Sequence, residues 1–370
     1  MKILYVEPFY SGAHKQWIDN YKKISKHNIT IINLSGKKWK WRMHGGAITL
    51  AEKFNNLNQK FDLIICSDMI NLPVFKSLCN KELINTRIVI YFHENQFSYP
   101  WSQNDPDIKL NRDLHYGYIN YTSSLVADHN YFNSNYNLDS YIYGLKKYLN
   151  KMPNNKNLNS ISDIKNKSSV LYIGCNLKEI KLKDKNKSNK YPIVLWNHRW
   201  EYDKKPDTFF DILYKLKDEG LKFSVVILGK QYKEYPECFD KAKKILKNEI
   251  LHIGYSKSTK DYKKWLNVAD ILPVTSIQDF FGISIVEAIA SGVYPILPNR
   301  LSYPEILDKK NNPELFYSDE KELYNKLFNY LNNYKILRYS TSKYKSLVNK
   351  FDWSIILNEY DETFEKIYKS

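Results

Sequence analysis

The sequence predicts an α/β protein with two doubly wound domains that face a central cleft. Short apolar runs alternate with amphipathic stretches in the N-terminal half, where the runs are KILYVEPF, ITIINLS, FDLIICSD, RIVIYFHE and NYFNS. A second series follows in the C-terminal half, with the runs PIVLWN, FSVVILG, ILHIGY, DILPVTS and VYPILPN. Runs this short and apolar are typical of parallel strands buried on both faces, with helices packed between them.

A change in composition separates the two series. Residues 154–168 and 178–190 are polar and charged, which predicts a hinge or linker region. We therefore assign residues 1–175 to an N-terminal domain, 176–190 to a linker and 191–350 to a C-terminal domain. Helical patterns near 319–333 and 353–368 close the chain, and residues 351–370 are predicted to form a C-terminal helix that can cross back to the N-terminal domain.

The charge of the chain permits a polyanionic partner without establishing one. The formal net charge is +16, but only six of the 56 cations are arginines, and a lysine-rich coding bias can produce the same balance. RNA and an anionic membrane surface both remain open as partners. The four cysteines are scattered without a C-x-x-C pair, which disfavours a zinc site or a disulfide framework.

The apolar segments are too short to suggest membrane insertion or export. The first run, KILYVEPF, stops at a polar loop and is too short for a signal peptide. No segment approaches the roughly 18 continuous apolar residues of a membrane span. The sequence therefore predicts a cytoplasmic protein without stable membrane insertion, and it implies no protein partner.

The strongest site candidate is the stretch DFFGISIVEAIASGVYPILPN at residues 279–299. Ligands of such sheets bind beyond the carboxyl ends of the strands, and here a glycine, Gly282, comes just before a predicted helix. A helix start presents free N–H groups and a positive dipole end, which suits a diphosphate. Asp279 and Glu287 flank this start and can hold sugar and ribose hydroxyls. An ordinary helix with a solvated carboxylate explains the periodicity equally well.

A basic turn follows the first strand of the second domain, in the stretch WNHRWEYDKKP. Arg199 and Lys204 lie five positions apart, and such a pair can neutralise a diphosphate leaving group without a metal. Taken alone, this stretch is better explained as a solvated basic turn.

Two stretches of the first domain carry histidines after predicted strands. In YFHENQFSYP, His93 and Glu94 end a strand, where a histidine can donate to a sugar hydroxyl or assist proton transfer. In FYSGAHKQW, Gly12 opens a turn into a helix whose first turn carries His14. In the plain alternative, a histidine at a strand end is a hydrogen-bonded structural residue. A lone glycine is only a weak sign of an anion-binding helix start.

A loop that alternates cations with indoles is predicted after the second strand, in KKWKWRMHGG. Its aromatic residues can stack on splayed bases while its cations meet phosphates. In the alternative interpretation, one tryptophan anchors the loop to the core and some lysines are simply solvated. The candidate RNA-binding residues are Lys37, Lys38, Trp39, Lys40, Trp41 and Arg42.

In this order, the stretches resemble retaining glycosyltransferases of family 4, which have two Rossmann-like domains in the GT-B arrangement. Their E-x7-E motif corresponds here to Asp279-x7-Glu287, preceded by the pair Arg199 and Lys204. Five blocks between Tyr5 and Ile306 are more closely similar to the tRNA-queuosine mannosyltransferase family: FYSGAHKQW, KWKWRMHGGA, YFHENQFSYP, HRWEYDKKP and FFG…EAIASGVYP…PNRLSYPEI.

This resemblance implies a function and a role for each matched residue. It implies transfer of mannose from GDP-mannose to queuosine in tRNA, with retention of configuration and without a metal or other cofactor. Arg199 and Lys204 are implied to bind the diphosphate and Glu287 the donor ribose. The mannose and phosphate are implied to meet Asp279 together with the backbone of Phe280, Phe281, Gly282 and Ile283. His93 is implied to lie against the transferred sugar, and Gly12 and His14 to form the opposing wall.

One departure from the family pattern concerns the sugar contact. The family has His-Glu before Phe-Phe-Gly, whereas this chain has Gln278 and Asp279, and aspartate is one methylene shorter. Two other functions stay open at this stage. One is a membrane-surface glycosyltransferase that acts on a lipid or polysaccharide, and the other is a non-catalytic nucleic-acid-binding protein that has kept the fold.

Overall fold

A computed structural model describes residues 1–80, 86–102, 105–110, 114–180, 189–232, 234–338 and 341–369. Its chain divides into two compact units, one formed by Met1–Gly174 together with Trp353–Ser370 and the other by Cys175–Asp352. Most of the predicted linker falls at 181–188, outside the described residues.

The first unit contains a six-stranded parallel sheet in the order β2-β1-β3-β4-β5-β6. Its core strands are buried because they carry almost only apolar side chains, as the run Leu63–Ser67 illustrates. The five predicted strands are all present, and a short sixth strand was not predicted. The strands are β1 (Lys2–Tyr10), β2 (Asn28–Ser35), β3 (Leu63–Ser67), β4 (Arg87–Phe92), β5 (His129–Phe132) and β6 (Ser168–Val170).

Helices connect these strands, and the last helix of the chain also belongs to this unit. They are α1 (Gly12–Ile24), α2 (Trp39–Asn55), α3 (Leu72–Leu78), α4 (Pro106–Lys109), α5 (His115–Val126), α6 (Asn135–Asn150), α7 (Asn159–Asn166) and α16 (Trp353–Lys369).

Two expectations for this unit were wrong. Residues 154–168 are not simply a hinge, because they contain α7, whose Ile164 is buried in the core, and the first residue of β6. The stretch from Trp39 onward is not a loop, since it is the start of α2. Gly46 lies inside that helix, where a side chain would press on Pro8 and Leu34 at 3.3 and 3.4 Å. Close packing against β1 and β2 therefore explains this glycine.

The second unit contains another six-stranded parallel sheet, in the order β12-β11-β10-β7-β8-β9. All five predicted strands are again present, and a two-residue strand at the sheet edge was not predicted. The strands are β7 (Ile193–Asn197), β8 (Ser224–Leu228), β9 (Ile250–Ile253), β10 (Ile271–Pro273), β11 (Tyr294–Pro298) and β12 (Phe316–Tyr317).

Helices of the second unit include the pattern predicted near 319–333, whereas the pattern predicted near 353–368 forms α16 of the first unit. They are α8 (Leu177–Ile180), α9 (Pro206–Asp218), α10 (Cys238–Ile245), α11 (Thr259–Val268), α12 (Ile283–Ala290), α13 (Tyr303–Ile306), α14 (Glu320–Leu337) and α15 (Ser342–Asn349), with short 3-10 helices at Tyr202–Lys204 and Pro313–Leu315.

The strand orders locate where ligands should bind in each sheet. In the first sheet the chain runs from β1 to β2 on one side and to β3 on the other, so the order reverses between β1 and β3. In the second sheet the reversal lies between β7 and β10. Side chains that follow the carboxyl ends of these strands line a crevice suited to ligands.

Candidate active site

A buried lysine and two carboxylates lie at the reversal point of the second sheet. Lys204 closes the 3-10 helix after β7, and its Nζ donates to the Gln278 carbonyl at 2.5 Å and to Asp279 Oδ1 at 3.0 Å. Asp203 Oδ2 lies 3.1 Å from the same nitrogen. Burial alone would lower the pKa of Lys204, but Asp279 and then Asp203 raise it above its ordinary value. Lys204 therefore stays charged inside the protein.

Asp279 is held from two sides. Besides Lys204, it receives a hydrogen bond from the Tyr303 hydroxyl to Oδ2 at 2.5 Å. Burial would raise the pKa of Asp279, yet Lys204 holds it below its ordinary value. The shorter aspartate at this position is thus an ionised, fixed carboxylate, despite the missing methylene.

Arg199 is the more exposed cation of this region. Its side chain is 45% exposed, and its Nη2 lies 3.0 Å from Glu201 Oε2. Burial, with a smaller contribution from the positive charge of Arg199, lowers the pKa of His198. The same charge opposes the two aspartates that raise the pKa of Lys204. Arg199, Lys204 and Asp279 therefore share one electrostatic neighbourhood, and their binding of a donor stays a prediction.

A glycine with left-handed backbone starts helix α12. Gly282 has φ = +91°, and a Cβ there would lie 3.2 Å from Ile285 Cδ1 and 3.3 Å from Tyr303 Cε1. The first N–H groups of a helix have no intrahelical acceptor, so this start can bind an anion. Phe280 and Phe281 are buried just before it and fix the approach of the chain.

Glu287 lies one turn further along α12. It accepts a hydrogen bond from Tyr262, which is itself bonded to Asn197, and the sequence did not reveal either partner. The Tyr262 hydroxyl donates to Glu287 Oε2 at 2.6 Å, and Asn197 Nδ2 donates to the same hydroxyl at 3.0 Å. Desolvation by the surrounding protein raises the pKa of Glu287 to about 7, although the bond from Tyr262 works in the other direction. Asn197 ends β7, whereas Tyr262 comes from α11, and no local pattern marks it.

His198 is a further side chain that sequence reasoning missed. It is buried between β7 and Arg199, and its Nε2 has no hydrogen-bond partner among the described residues. Burial lowers the pKa of His198 to about 4, so the ring is neutral at physiological pH. A buried polar atom without a partner beside Asp279 is suited to meeting a ligand group.

The first unit has its own cluster of buried titratable groups at the reversal point of its sheet. Gly12, with φ = +53°, begins α1 and His14 follows on its first turn. The His14 and His93 rings lie 4.1 Å apart between centroids. The Asp68 Oδ1 atom accepts a hydrogen bond from the His93 backbone N–H at 2.9 Å. The structure thus brings together the predicted residues Gly12, His14 and His93.

Comparison with known proteins identifies the family. Residues 2–175 match the family described as tRNA-queuosine alpha-mannosyltransferase N-terminal, and residues 178–346 match Glycosyl transferases group 1. A tRNA-queuosine alpha-mannosyltransferase from Drosophila melanogaster is 31% identical over 375 residues, which cover 98% of this chain and 96% of the relative. The chain belongs to the tRNA-queuosine alpha-mannosyltransferase family. It is a glycosyltransferase.

Solved structures with low sequence identity show the same fold. Sucrose-phosphate synthase from Thermosynechococcus elongatus superposes with a TM-score of 0.75 at 13% identity, covering 100% of both chains. Anabaena Alr3699/HepE in complex with UDP gives a TM-score of 0.67 at 15% identity, covering 99% of this chain and 100% of that one. The two predicted Rossmann-like domains and the GT-B class of this family member are thereby confirmed.

The basic, tryptophan-containing stretch at residues 37–42 contains two groups of side chains. The first group makes contacts within the protein. Trp39 packs against Trp101 and Tyr116, with ring centroids at 6.2 and 4.9 Å. The Lys40 Nζ lies 2.6 Å from Asp105 Oδ1, and the Arg42 Nε donates to the Ser35 carbonyl at 3.1 Å.

The second group is exposed. Trp41 is 63% exposed and lies over Gly45, while Lys37 and Lys38 are exposed beside it. Trp39 therefore anchors α2 to its surroundings, and Lys37, Lys38 and Trp41 are the members of the stretch that present surface.

Membrane-spanning helices and metal clusters are both absent from the described part of the chain. None of its helices is both long and apolar enough to cross a membrane. Within the same residues, no group of three or more histidine, cysteine, aspartate or glutamate side chains has an arrangement that could hold a metal ion.

Proposed function

We propose that this glycosyltransferase transfers mannose from GDP-mannose to the cyclopentenediol of queuosine at the wobble position of a tRNA. The main support is the 31% identity, along nearly the whole chain, to a protein named for this activity. The paired cations and the helix start at Gly282 support a nucleotide-sugar donor. The reaction belongs to the cytoplasm, where tRNA is available.

Residues of the second unit bind the donor in this proposal. Arg199 contacts the diphosphate, and Lys204 adds its charge while it fixes Asp279. The backbone from Phe280 to Ile283 donates to phosphate oxygens at the start of α12. The Glu287 carboxylate accepts from the ribose hydroxyls, and Asp279 accepts from hydroxyls of the mannose. All of this positive charge comes from the protein, so the proposal includes no metal and no other cofactor.

Transfer proceeds with retention in this proposal. The bond between mannose C1 and the diphosphate oxygen breaks with oxocarbenium character, and its electron pair stays with the diphosphate. Arg199, Lys204 and the α12 start stabilise the charge that develops there. The acceptor hydroxyl attacks C1 from the face that the leaving group vacates and gives its proton to a departing phosphate oxygen. His93, Gly12 and His14 of the first unit are assigned to contacts with the transferred sugar.

Exposed Lys37, Lys38 and Trp41 are assigned to the tRNA. The two ammonium groups meet phosphates, and the indole stacks on an unpaired base, a contact worth roughly 1–3 kcal/mol. Trp39, Lys40 and Arg42 support this surface through the internal contacts described above.

The decisive experiment incubates the purified protein with queuosine-containing tRNA and, separately, GDP-mannose, GDP-glucose, UDP-glucose and UDP-galactose. Digestion to nucleosides and mass spectrometry should find queuosine that has gained one hexose with GDP-mannose alone. The matched control is the same tRNA with guanosine at the wobble position, which should gain nothing. Absence of hexose on queuosine with every donor would refute the proposal, and transfer to added lipid would favour a membrane-surface acceptor. The anomeric coupling of the product, measured by NMR, tests retention.

A further inference from the structure

The Glu7 carboxylate in β1 is fully buried, and the proposed reaction gives it no role. Its Oε1 accepts from the Phe9 backbone N–H at 2.8 Å and from Ser67 Oγ at 2.9 Å. Its Oε2 accepts from the Tyr5 hydroxyl at 3.0 Å and lies 3.0 Å from His14 Nδ1. Two oxygens with four partners satisfy a carboxylate completely, so Glu7 is fixed in position.

This arrangement sets the tautomer of His14. A carboxylate oxygen only accepts hydrogen bonds, so the ring must carry a proton on Nδ1. The other nitrogen, Nε2, has no hydrogen-bond partner within the part of the chain that the structure describes. A histidine whose Nδ1 is tied to a buried carboxylate presents Nε2 to whatever ligand arrives.

The charges around His14 favour its cationic form. It faces Glu7 from β1, Asp68 after β3, and His93 and Glu94 after β4. Burial alone would lower the pKa of His14, but Glu7, with smaller help from Asp68 and Glu94, raises it to about 9. Burial and the His14 charge hold the pKa of His93 well below its ordinary value. One ring is thus a cation and its neighbour is neutral.

We propose that Glu7 is a positioning residue that holds His14 as an imidazolium whose Nε2–H donates to an oxygen of the bound nucleotide sugar. Neither ring nitrogen of the adjacent His93 has a partner among the described residues, although both are buried. A cationic donor and a neutral ring able to donate and accept suit a group rich in oxygen. The ligand's identity rests on the proposed function, whereas the coupling of Glu7 to His14 does not.

The test starts with the wild-type protein, labelled with ¹⁵N in its histidine rings and titrated by NMR. The His14 signals, assigned with His14→Gln, should remain those of an imidazolium up to about pH 9 and then change to the Nδ1–H tautomer. In Glu7→Gln the His14 pKa should fall below 7. Ser67→Ala is the matched control, because it removes a partner of Glu7 and keeps the charge, so the pKa should stay near 9.

Turnover and donor binding provide the second readout. Because the charge is lost above the lowered pKa, the donor affinity of Glu7→Gln relative to that of the wild type should fall by about tenfold or more as pH rises from 6 to 8. His14→Gln should bind donor weakly at every pH. A wild-type His14 pKa near 6.5, or unchanged donor affinity in His14→Gln, would overturn the proposal. If no hexose reaches queuosine while the titration behaves as stated, the proposed function fails and the Glu7–His14 coupling stands. If Glu7→Gln does not fold, the wild-type titration and the donor affinity of His14→Gln still test the proposal.

Discussion

The donor-site cations differ in what surrounds them. The ammonium of Lys204 is buried and faces two carboxylates, Asp203 and Asp279, whereas Arg199 is about half exposed and pairs with Glu201. Neutralised charges move little when a ligand binds, while an exposed guanidinium can turn toward a phosphate and bind it with two hydrogen bonds. At the scale of single residues, we therefore assign direct diphosphate binding to Arg199 and the positioning of Asp279 to Lys204.

Donor binding should depend on pH through Glu287. Its pKa is raised to about 7, so the carboxylate that accepts from the ribose forms as pH rises through 7. The Kd for GDP should therefore fall by about tenfold between pH 6 and pH 8, because the ionised fraction rises by that factor. His198, with a pKa of about 4, and His14, with a pKa of about 9, each stay largely in one protonation state over this range. Calorimetric titration with GDP at several pH values measures the effect.

Two variants sharpen this measurement. Glu287→Gln should bind weakly without pH dependence. Tyr262→Phe removes the hydrogen bond that lowers the pKa of Glu287, so its binding curve should move to higher pH. A curve that keeps its midpoint in Tyr262→Phe would mean that another group controls the titration.

At the scale of elements, the start of α12 depends on a backbone shape that only glycine adopts easily. Gly282→Ala should cost about 1–3 kcal/mol of unfolding free energy and weaken GDP binding, because the new methyl meets Ile285 and Tyr303 and shifts the helix start. Gly220→Ala is a matched control, since Gly220 has φ = +84° and open space around its missing Cβ. Urea unfolding and calorimetry should show destabilisation in both variants and weaker donor binding in Gly282→Ala alone. Equal GDP affinity in the two variants would contradict the assignment.

The exposed beginning of α2 should contribute to tRNA binding. Reversal of Lys37 and Lys38 to glutamate should weaken tRNA binding at least tenfold and flatten its salt dependence, since fewer counterions are released. Reversal of Lys22 and Lys23, also exposed and in the same unit, changes the net charge equally and should have a smaller effect. Filter binding over a salt series measures both. Equal losses in the two double variants would show that the overall charge matters and the local surface does not.

The same elements show how far the sequence could predict the structure. Buried strands such as Leu63–Ser67 were predictable because their apolar runs are continuous, and Gly282 was predictable because a glycine precedes an amphipathic helix. The sequence predicts a loop at the start of α2 because its alternating lysines and tryptophans lack a helical period, whereas the structure has a helix there. Tyr262 could not be found, since its partner Glu287 is 25 positions away. Contacts between residues so far apart in sequence depend on the order of the strands in the sheet, and no local sequence pattern predicts that order.

At the scale of the whole molecule, the C-terminal helix α16 belongs to the first unit. In sequence, the whole second unit separates α16 from the rest of the first unit. Its Tyr360 hydroxyl donates to the Tyr172 carbonyl at 2.6 Å and accepts from Trp17 Nε1 at 3.1 Å. Its Asp361 accepts from the Tyr21 hydroxyl at 2.8 Å and from Ser25 Oγ at 2.7 Å. The buried polar groups of α1 are therefore satisfied by the far end of the chain.

Asp361→Ala should destabilise the first unit selectively. The change leaves Tyr21 and Ser25 without their acceptor and should cost about 2–3 kcal/mol. Hydrogen exchange should then speed up in β1 and α1 and stay unchanged in β7 and β8. The exposed neighbour Glu359→Ala is the control and should alter neither set. Faster exchange in both sheets to the same degree would contradict this division of the chain.

The most direct measurement is the dissociation constant of GDP-mannose for Arg199→Ala, compared with Arg87→Ala. Both arginine side chains are 45% exposed and each pairs with a carboxylate, Glu201 or Asp128, but Arg87 lies in the first unit, at the start of β4. We predict that calorimetry will find Kd raised by about 10- to 100-fold in Arg199→Ala, as expected for loss of a charged hydrogen bond worth about 1.5–3 kcal/mol, and unchanged in Arg87→Ala. Wild-type affinity in Arg199→Ala would contradict the claim that this cation holds the donor diphosphate.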